Sequence, residues 1–164
     1  MIHEAYPRQV ILVTSSEKIE QFGKEIKKDN VMTLSWHMPV SHTPLMYAIS
    51  VSKKRFSYHL IKKSNCFCVN FMPYSLSEEI LFIGRNSGSH IDKFLETGLH
   101  KEECESIECV RLKEALSYFE CELVEEIEAG DHVMFVGRVV GTFKNRDDKR
   151  VYQIKGDKFT TTVD

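Results

Sequence analysis

Short runs of apolar, β-branched and aromatic residues recur along this chain, some alternating with polar positions at a period of two, and short segments of helical spacing separate them. Residues 9–15, QVILVTS, form a Val- and Ile-rich run that reads as a buried strand. The polar stretch that follows, 15–30, carries no clear period, and a surface hairpin and a short helical excursion both remain open for it. Residues 30–38 and 45–52 read as two further strands, with Pro39 and Pro44 punctuating a turn between them. In 56–64, FSYHLIKKS, Phe56, Leu60 and Ile61 fall on one side of a helix. Lys62 and Lys63 lie near its end, where the helix dipole favours cations.

Residues 66–71 return to strand character. The next segment, 75–84, predicts a helix with Ser75 as N-cap, Glu78 closing a capping box and Gly84 as its stop. A short helix is expected over 90–98, ending at Gly98. Beyond it, 115–128 alternates Ala115, Ser117, Phe119, Cys121 and Leu123, which favours a strand over a long helix. The turn 129–131 then joins this strand to the β-branched and aromatic run 132–143 in a long hairpin, and two short strands close the chain. The pattern predicts a single domain over residues 1–164. It is mainly antiparallel β with two or three short helices, a barrel or sandwich and not a doubly wound sheet.

Composition narrows the partners. At 164 residues, with 42% apolar and 28% charged positions and a net charge of −2, the chain suits a globular domain and argues against a dedicated nucleic-acid binder. No apolar run reaches the roughly 20 residues of a membrane span, and the first ten residues lack a signal pattern. Charge is uneven: residues 1–101 carry a net +4 and residues 102–128 a net −8, so an anionic ligand finds better company in the first half. Five cysteines, 66, 68, 104, 109 and 121, are an odd count that predicts reduced thiols and a cytoplasmic setting. Cys66 and Cys68 share one strand face and read as buried small residues. The looser pair Cys104 and Cys109 is a poor complement for a zinc site, so no metal is expected.

The common signatures of Rossmann dehydrogenases, P-loop proteins, zincins and nucleophile-elbow hydrolases are all absent. What remains is hydroxyl-rich and basic. Thr33 and Ser35 share a strand face beside Trp36. Ser50, Ser52, Lys53, Lys54, Arg55 and Ser57 sit between a strand and a helix start, where unpaired N–H groups and the dipole favour phosphate. A solvated basic turn and a phosphate site both fit that segment alone. Residues 84–94, GRNSGSHIDKF, fit a capped loop or a loop shaped around an anion.

Taken in order, the stretches RQVILVTS, NVMTLSWHMPVSHTPLMYAISVSKKRFSYHLIKKSNCFCVNFMP, GRNSGSHIDKF and ECELVEEIEAGDHVMFVGRVV resemble the flavin-reductase-like, FMN-binding split-barrel family, flavoredoxin type. The resemblance runs from about residue 7 to residue 140. It implies a Greek-key split β-barrel, a homodimer, and FMN held without a Rossmann fold.

The resemblance assigns Met32, Thr33, Leu34, Ser35 and Trp36 to the flavin ring. It assigns Ser50, Val51, Ser52, Arg55 and Ser57 to the phosphate and ribityl chain, Ser87, Gly88, Lys93 and Phe94 to a segment closing over the cofactor, and Asn70 to a contact or a brace. The family often has Thr at position 57 and Arg at 89. His90, next to that departure, is the candidate for tuning hydride delivery at a flavin rim, and His132 of GDH for a turn that braces the pocket.

The implied activity is oxidoreduction on FMN, with hydride from NAD(P)H passed to free flavin, ferric iron or a redox protein. An electron carrier that does not use NAD(P)H directly, a non-catalytic flavin- or heme-associated module, and an unrelated phosphate-binding barrel are the other classes kept.

Overall fold

The structure, a computed structural model, describes residues 3–163. A 3-10 turn, His3–Ala5, leads into β1 (Arg8–Gln9), β2 (Ile11–Gln21) and β3 (Lys24–Leu34). After β4 (His37–His42) and β5 (Leu45–Ser52) come α1 (Phe56–Ser64) and β6 (Cys66–Phe71). Two more helices follow, α2 (Ser77–Arg85) and α3 (Lys93–Thr97), then β7 (Lys101–Glu103) and β8 (Val110–Leu112). The long hairpin is β9 (Ser117–Ala129) and β10 (His132–Lys144), and β11 (Tyr152–Lys155) with β12 (Lys158–Thr160) closes the chain.

Seven strands pair antiparallel in the order β3-β2-β6-β9-β10-β5-β4. Laid flat, such a sheet would separate its edges by roughly 29 Å at the usual strand spacing. Yet its two edge strands are joined through Ser35 and Trp36 alone, a reach of at most about 11 Å. The sheet must therefore curl until its edges meet at that corner, which is a split barrel. Register shifts in β10 at Val136/Gly137 and Val139/Gly141 supply bends of the kind that curvature needs.

Alternation sorts the core into two bodies. Ile11 and Val13 of β2 join Ile49, Val51, Phe67, Val69, Val133 and Phe135 in one cluster, into which α1 sends Ile61. The alternate positions Val10 and Leu12 join Cys66, Cys68, Ile80, Ile83, Phe94, Val110 and Leu112 in a second cluster beneath α2, α3 and β8. β6 is buried along its whole length because both faces are covered. The expected shared face of Cys66 and Cys68 is found in that second cluster. All five cysteines are free, and no group of three or more metal-binding side chains occurs among the described residues. Nor is any described helix long and apolar enough to cross a membrane.

Several local expectations are corrected. The undecided stretch 15–30 is a hairpin: β2 and β3 pair continuously from Ile11↔Leu34 to Gln21↔Lys24. It turns through Phe22 and Gly23, at φ 52° and 73°, as a two-residue turn with both central residues left-handed requires. Residues 30–38 are not one strand, because the chain changes sheet edge at Ser35-Trp36. Pro39 lies inside edge strand β4 beside a register shift and not in a turn, which is where a strand tolerates proline. The capping box does not form. Ser75 sits in a 3-10 turn, Tyr74–Leu76, and α2 starts at Ser77 with no side-chain cap.

Gly84 does not stop α2 but lies in its last turn, where a Cβ would stand 3.3 Å from Thr33 Cβ. Glycine there lets the helix close on β3. α3 ends as expected at Gly98, φ 73°, and Asp92 caps its start by accepting from the N–H groups of Phe94 and Leu95. The β7–β8 hairpin was not anticipated at all.

Candidate functional site

A cleft of ≈ 570 Å³ opens where four pieces of chain converge: the end of β3, the β5–α1 junction, the loop after α2, and the β9–β10 turn. β3 and its exit contribute Asn30, Met32, Thr33, Leu34, Ser35 and Trp36. The Thr33 hydroxyl donates to Ile80 O at 2.6 Å and the Ser35 hydroxyl to Gln153 Oε1 at 2.9 Å. Both protons are thus spent on tying β3 to α2 and β11, leaving lone pairs and backbone for any ligand. Leu34 packs into the barrel core. Trp36 is partly exposed, with the His132 ring at 4.8 Å and the Arg8 guanidinium at 5.9 Å from its ring centroid.

The junction contributes Ser50, Val51, Ser52, Lys54, Arg55, Phe56 and Ser57. Arg55 is the N-cap of α1 in extended conformation, and no side chain caps this helix. First-turn N–H groups without a side-chain acceptor, at the positive end of the dipole, make a ready seat for an anion. Arg55 N donates instead to Ser52 O at 3.0 Å, which turns the chain sharply from β5 into α1. Across the ladder Ser52 faces His132, bringing the β9–β10 turn to the same end of the barrel. His132 Nδ1 lies 2.7 Å from Asp131 Oδ1, and this hydrogen bond holds the Asp131 carboxyl below its ordinary range.

The third wall carries Ile83, Gly84, Arg85, Asn86, Ser87, Gly88 and Lys93. Lys93 is nearly buried, yet its ammonium donates to Val31 O at 2.9 Å and Ile83 O at 3.0 Å. Burial, with the nearby Arg55 charge adding to it, pulls its pKa down to about 8. Arg85 is paired with Asp157, but Lys54, Arg55 and Lys93 face only Asp131 among acidic lining residues, so the cleft is cationic although the chain is not.

Of the residues expected from sequence, Met32, Thr33, Leu34, Ser35, Trp36, Ser50, Val51, Ser52, Arg55, Ser57, Ser87, Gly88 and Lys93 are brought to this one cleft. Asn70, Phe94 and His90 are not in its lining. Asn70 is fully buried and donates to Leu12 O, Thr14 Oγ1 and Cys68 O while accepting from Leu112 N. It is a brace between strands. Phe94 packs in the cluster beneath α2 and α3, with the Lys101 ammonium 5.1 Å from its ring centroid. His90 is exposed, its N–H donating to Ser87 O at 3.1 Å in a turn. Lining residues not anticipated as site residues include Asn30, Lys54, Phe56, Arg85 and Asp131. The KKR run signalled Lys54, and GDH signalled the Asp131–His132 turn. Asn30 opens the stretch NVMTLSW that carries the resemblance but was given no role of its own, because a polar residue at the base of a polar hairpin looks solvated.

A family model described as a flavin reductase like domain matches residues 3–161. An uncharacterized protein of Pyrococcus abyssi is 30% identical over 140 residues, 85% of this chain and 76% of its own length. The reductase component of a 4-nitrophenol 4-monooxygenase/4-nitrocatechol 2-monooxygenase from Rhodococcus opacus is 29% identical over 111 residues, 66% of this chain and 55% of that protein. Among solved structures, an FMN-binding protein from Thermus thermophilus with bound 1-cyclohex-2-enone superposes with a TM-score of 0.84 at 22% identity, covering 98% of this chain and 89% of that one. A flavoredoxin from Methanosarcina acetivorans gives 0.83 at 23% identity, covering 98% and 87%.

Proposed function

The chain belongs to the flavin reductase-like domain family, and from that premise we propose that it binds FMN in the cationic cleft and acts as an oxidoreductase on it. The cleft has the size of a cofactor pocket. Its chemistry fits the group in two places. A phosphate ester of about −1.5 to −2 charge would be held at the uncapped start of α1 by Ser52, Arg55 and Ser57, with Lys54 and Lys93 adding positive potential. The ring would lie along β3 from Met32 to Trp36, where strand backbone and apolar side chains alternate.

Bound there, FMN supplies hydride acceptance and onward electron transfer. The protein's own part is to bind, orient and shield. The Arg55 fork and the α1 dipole anchor one end. The tie of Thr33 to Ile80 O keeps β3 and α2 at a fixed separation, and the loop 86–88 covers the flank. No side chain is needed as a general acid or base. We take NAD(P)H as the electron donor to be assayed first, in keeping with a similar fold in an NADH:FAD oxidoreductase of Streptomyces globisporus. Free flavin, ferric iron or a redox protein are the acceptors to be assayed. The partly exposed Trp36, with Met38 and Val40 of edge strand β4, forms the apolar face a homodimer would cover.

The observation that carries this reading is the convergence of an uncapped helix start and the cations Lys54, Arg55 and Lys93 on one cofactor-sized cleft. An absorbance spectrum of the purified protein, followed by FMN titration and anaerobic addition of NADH and NADPH, tests it. A flavin spectrum bleached by either nucleotide supports the full proposal. A bound flavin that neither nucleotide reduces makes the protein an electron carrier, and no saturable flavin binding removes the reading altogether.

A further inference from the structure

Asn30 and Ser57 form a buried polar pair at the phosphate end of the cleft. Asn30 sits on β3 with 3% of its surface exposed, Ser57 in the first turn of α1 with 4%, and both line the cleft. The Asn30 amide donates from Nδ2 to Ser57 Oγ at 2.7 Å. The other end of the same amide is unusual. Oδ1 is buried with no hydrogen-bond partner, in a protein whose other buried Asn is hydrogen-bonded at both ends of its amide.

Gly88 explains the orientation. A Cβ on Gly88 would fall 1.9 Å from Asn30 Oδ1, so one Cα hydrogen of Gly88 points at that oxygen. A weak C–H···O contact suits an oxygen there and not an NH₂ group, whose hydrogens would meet the Cα hydrogen head-on. The amide is therefore held with its nitrogen on Ser57. A serine hydroxyl has one proton and two lone pairs. With a lone pair occupied by the Asn30 amide and no other partner for Oγ among the described residues, the Ser57 proton is left to point into the cleft.

We propose that Asn30, clamped by Gly88, is a positioning residue that sets the Ser57 hydroxyl as a donor to the phosphate ester of the ligand, so that this corner distinguishes FMN from unphosphorylated riboflavin. The inference rests on the flavin reading above. Without Asn30 the Ser57 hydroxyl is free to turn back toward the backbone, as serine does in helices, and the phosphate loses one charge-assisted hydrogen bond.

The test is titration of the flavin-free protein with FMN and with riboflavin, followed by flavin fluorescence, for wild type, Asn30→Ala, Ser57→Ala and the double variant. FMN affinity is expected to fall about tenfold in Asn30→Ala, the scale of one hydrogen bond to a charged group, with riboflavin affinity unchanged. The double variant is expected to bind FMN no more weakly than Ser57→Ala, since the two act as one unit. Asn30→Asp, nearly isosteric, covers the case in which Asn30→Ala does not fold. Its carboxylate would accept the Ser57 proton and reverse the hydroxyl, so it too should lose FMN and keep riboflavin. Equal loss of both ligands, or additive losses in the double variant, would overturn the inference. If wild type binds neither flavin, the flavin reading falls with it. If wild type binds FMN and both Asn30 variants match it, only the role of Asn30 falls.

Discussion

Asn70 and Asn30 lie buried on strands of the same sheet, in two regions built for opposite purposes. Around Asn70 everything is spent internally: its amide binds β2 and β6, and its oxygen takes the Leu112 N–H of β8 at 2.9 Å. Glu120 on β9, fully buried, behaves the same way. It accepts from the N–H groups of Glu105 and Ser106 and from Arg111 Nη1, pinning the loop between β7 and β8. At the Asn30 corner, capacity is left over: an unpartnered oxygen, an uncapped helix start, and cations that outnumber acids. A polar group closed on itself measures the scaffold, and one held open beside a cleft marks a ligand. The cost of either kind of substitution should appear in a different observable.

The sharpest separation comes from Glu120→Ala. It removes three hydrogen bonds at once, two from loop N–H groups and one of the three carboxylate partners of Arg111, and should lower unfolding free energy by about 3 kcal/mol in urea denaturation. FMN affinity of the folded fraction should not move. Asn70→Leu leaves the Leu112 N–H unpaired and should cost about 2 kcal/mol by the same measurement, again without a change in FMN affinity. A change in flavin binding in either variant would erase the distinction between the two regions.

The third substitution works in the opposite sense. Arg55→Ala should weaken FMN about tenfold in a binding titration, while urea stability stays within about 0.5 kcal/mol of wild type.

The smallest effect is a pH dependence. In the folded protein Lys93 loses its proton near 8, and in the unfolded chain near the ordinary 10.5. Between those values the unfolded state binds more protons, so stability of the flavin-free protein should rise with pH across that window. FMN affinity should fall as pH rises through about 8, because the cleft loses a cation, and riboflavin affinity should not. Lys93→Met should abolish both trends. If the trends persist in that variant, the titrating group lies elsewhere.

Most strands were legible because a half-buried strand writes its burial as alternation. β9 and β10 begin in this way, the start of β2 is buried on both faces and reads as a continuous apolar run, and α3 announced its end at Gly98. The outer half of the β2–β3 hairpin was illegible because no residue from Glu17 to Lys28 is fully buried, and the half-buried positions on it include the charged Glu17 and Lys28. Ser75 and Glu78 matched a capping box, but a 3-10 turn precedes α2 and removes Ser75 from the cap position.

The site shows the same division. Thr33, Ser35 and Arg55 could be singled out as hydroxyl and basic positions near strand ends. Which hydroxyls stay open to a ligand depended on partners 47 and 118 residues away, Ile80 and Gln153.

Local sequence determined most of the strands of this protein, the shared strand face of Cys66 and Cys68, and the two basic, hydroxyl-bearing segments that a phosphate would seek. These follow from period, capping and charge, which act within a few residues. Only the tertiary structure decided that β3 and β4 sit at opposite edges of one sheet and must be brought together through Ser35 and Trp36. It also decided that Asn70 is closed and Asn30 open, and that Gly88 holds Asn30 in place. A hydrogen bond is satisfied or left wanting by whatever atom the fold delivers to it, and for Asn30 that atom comes from a loop 58 residues further along the chain.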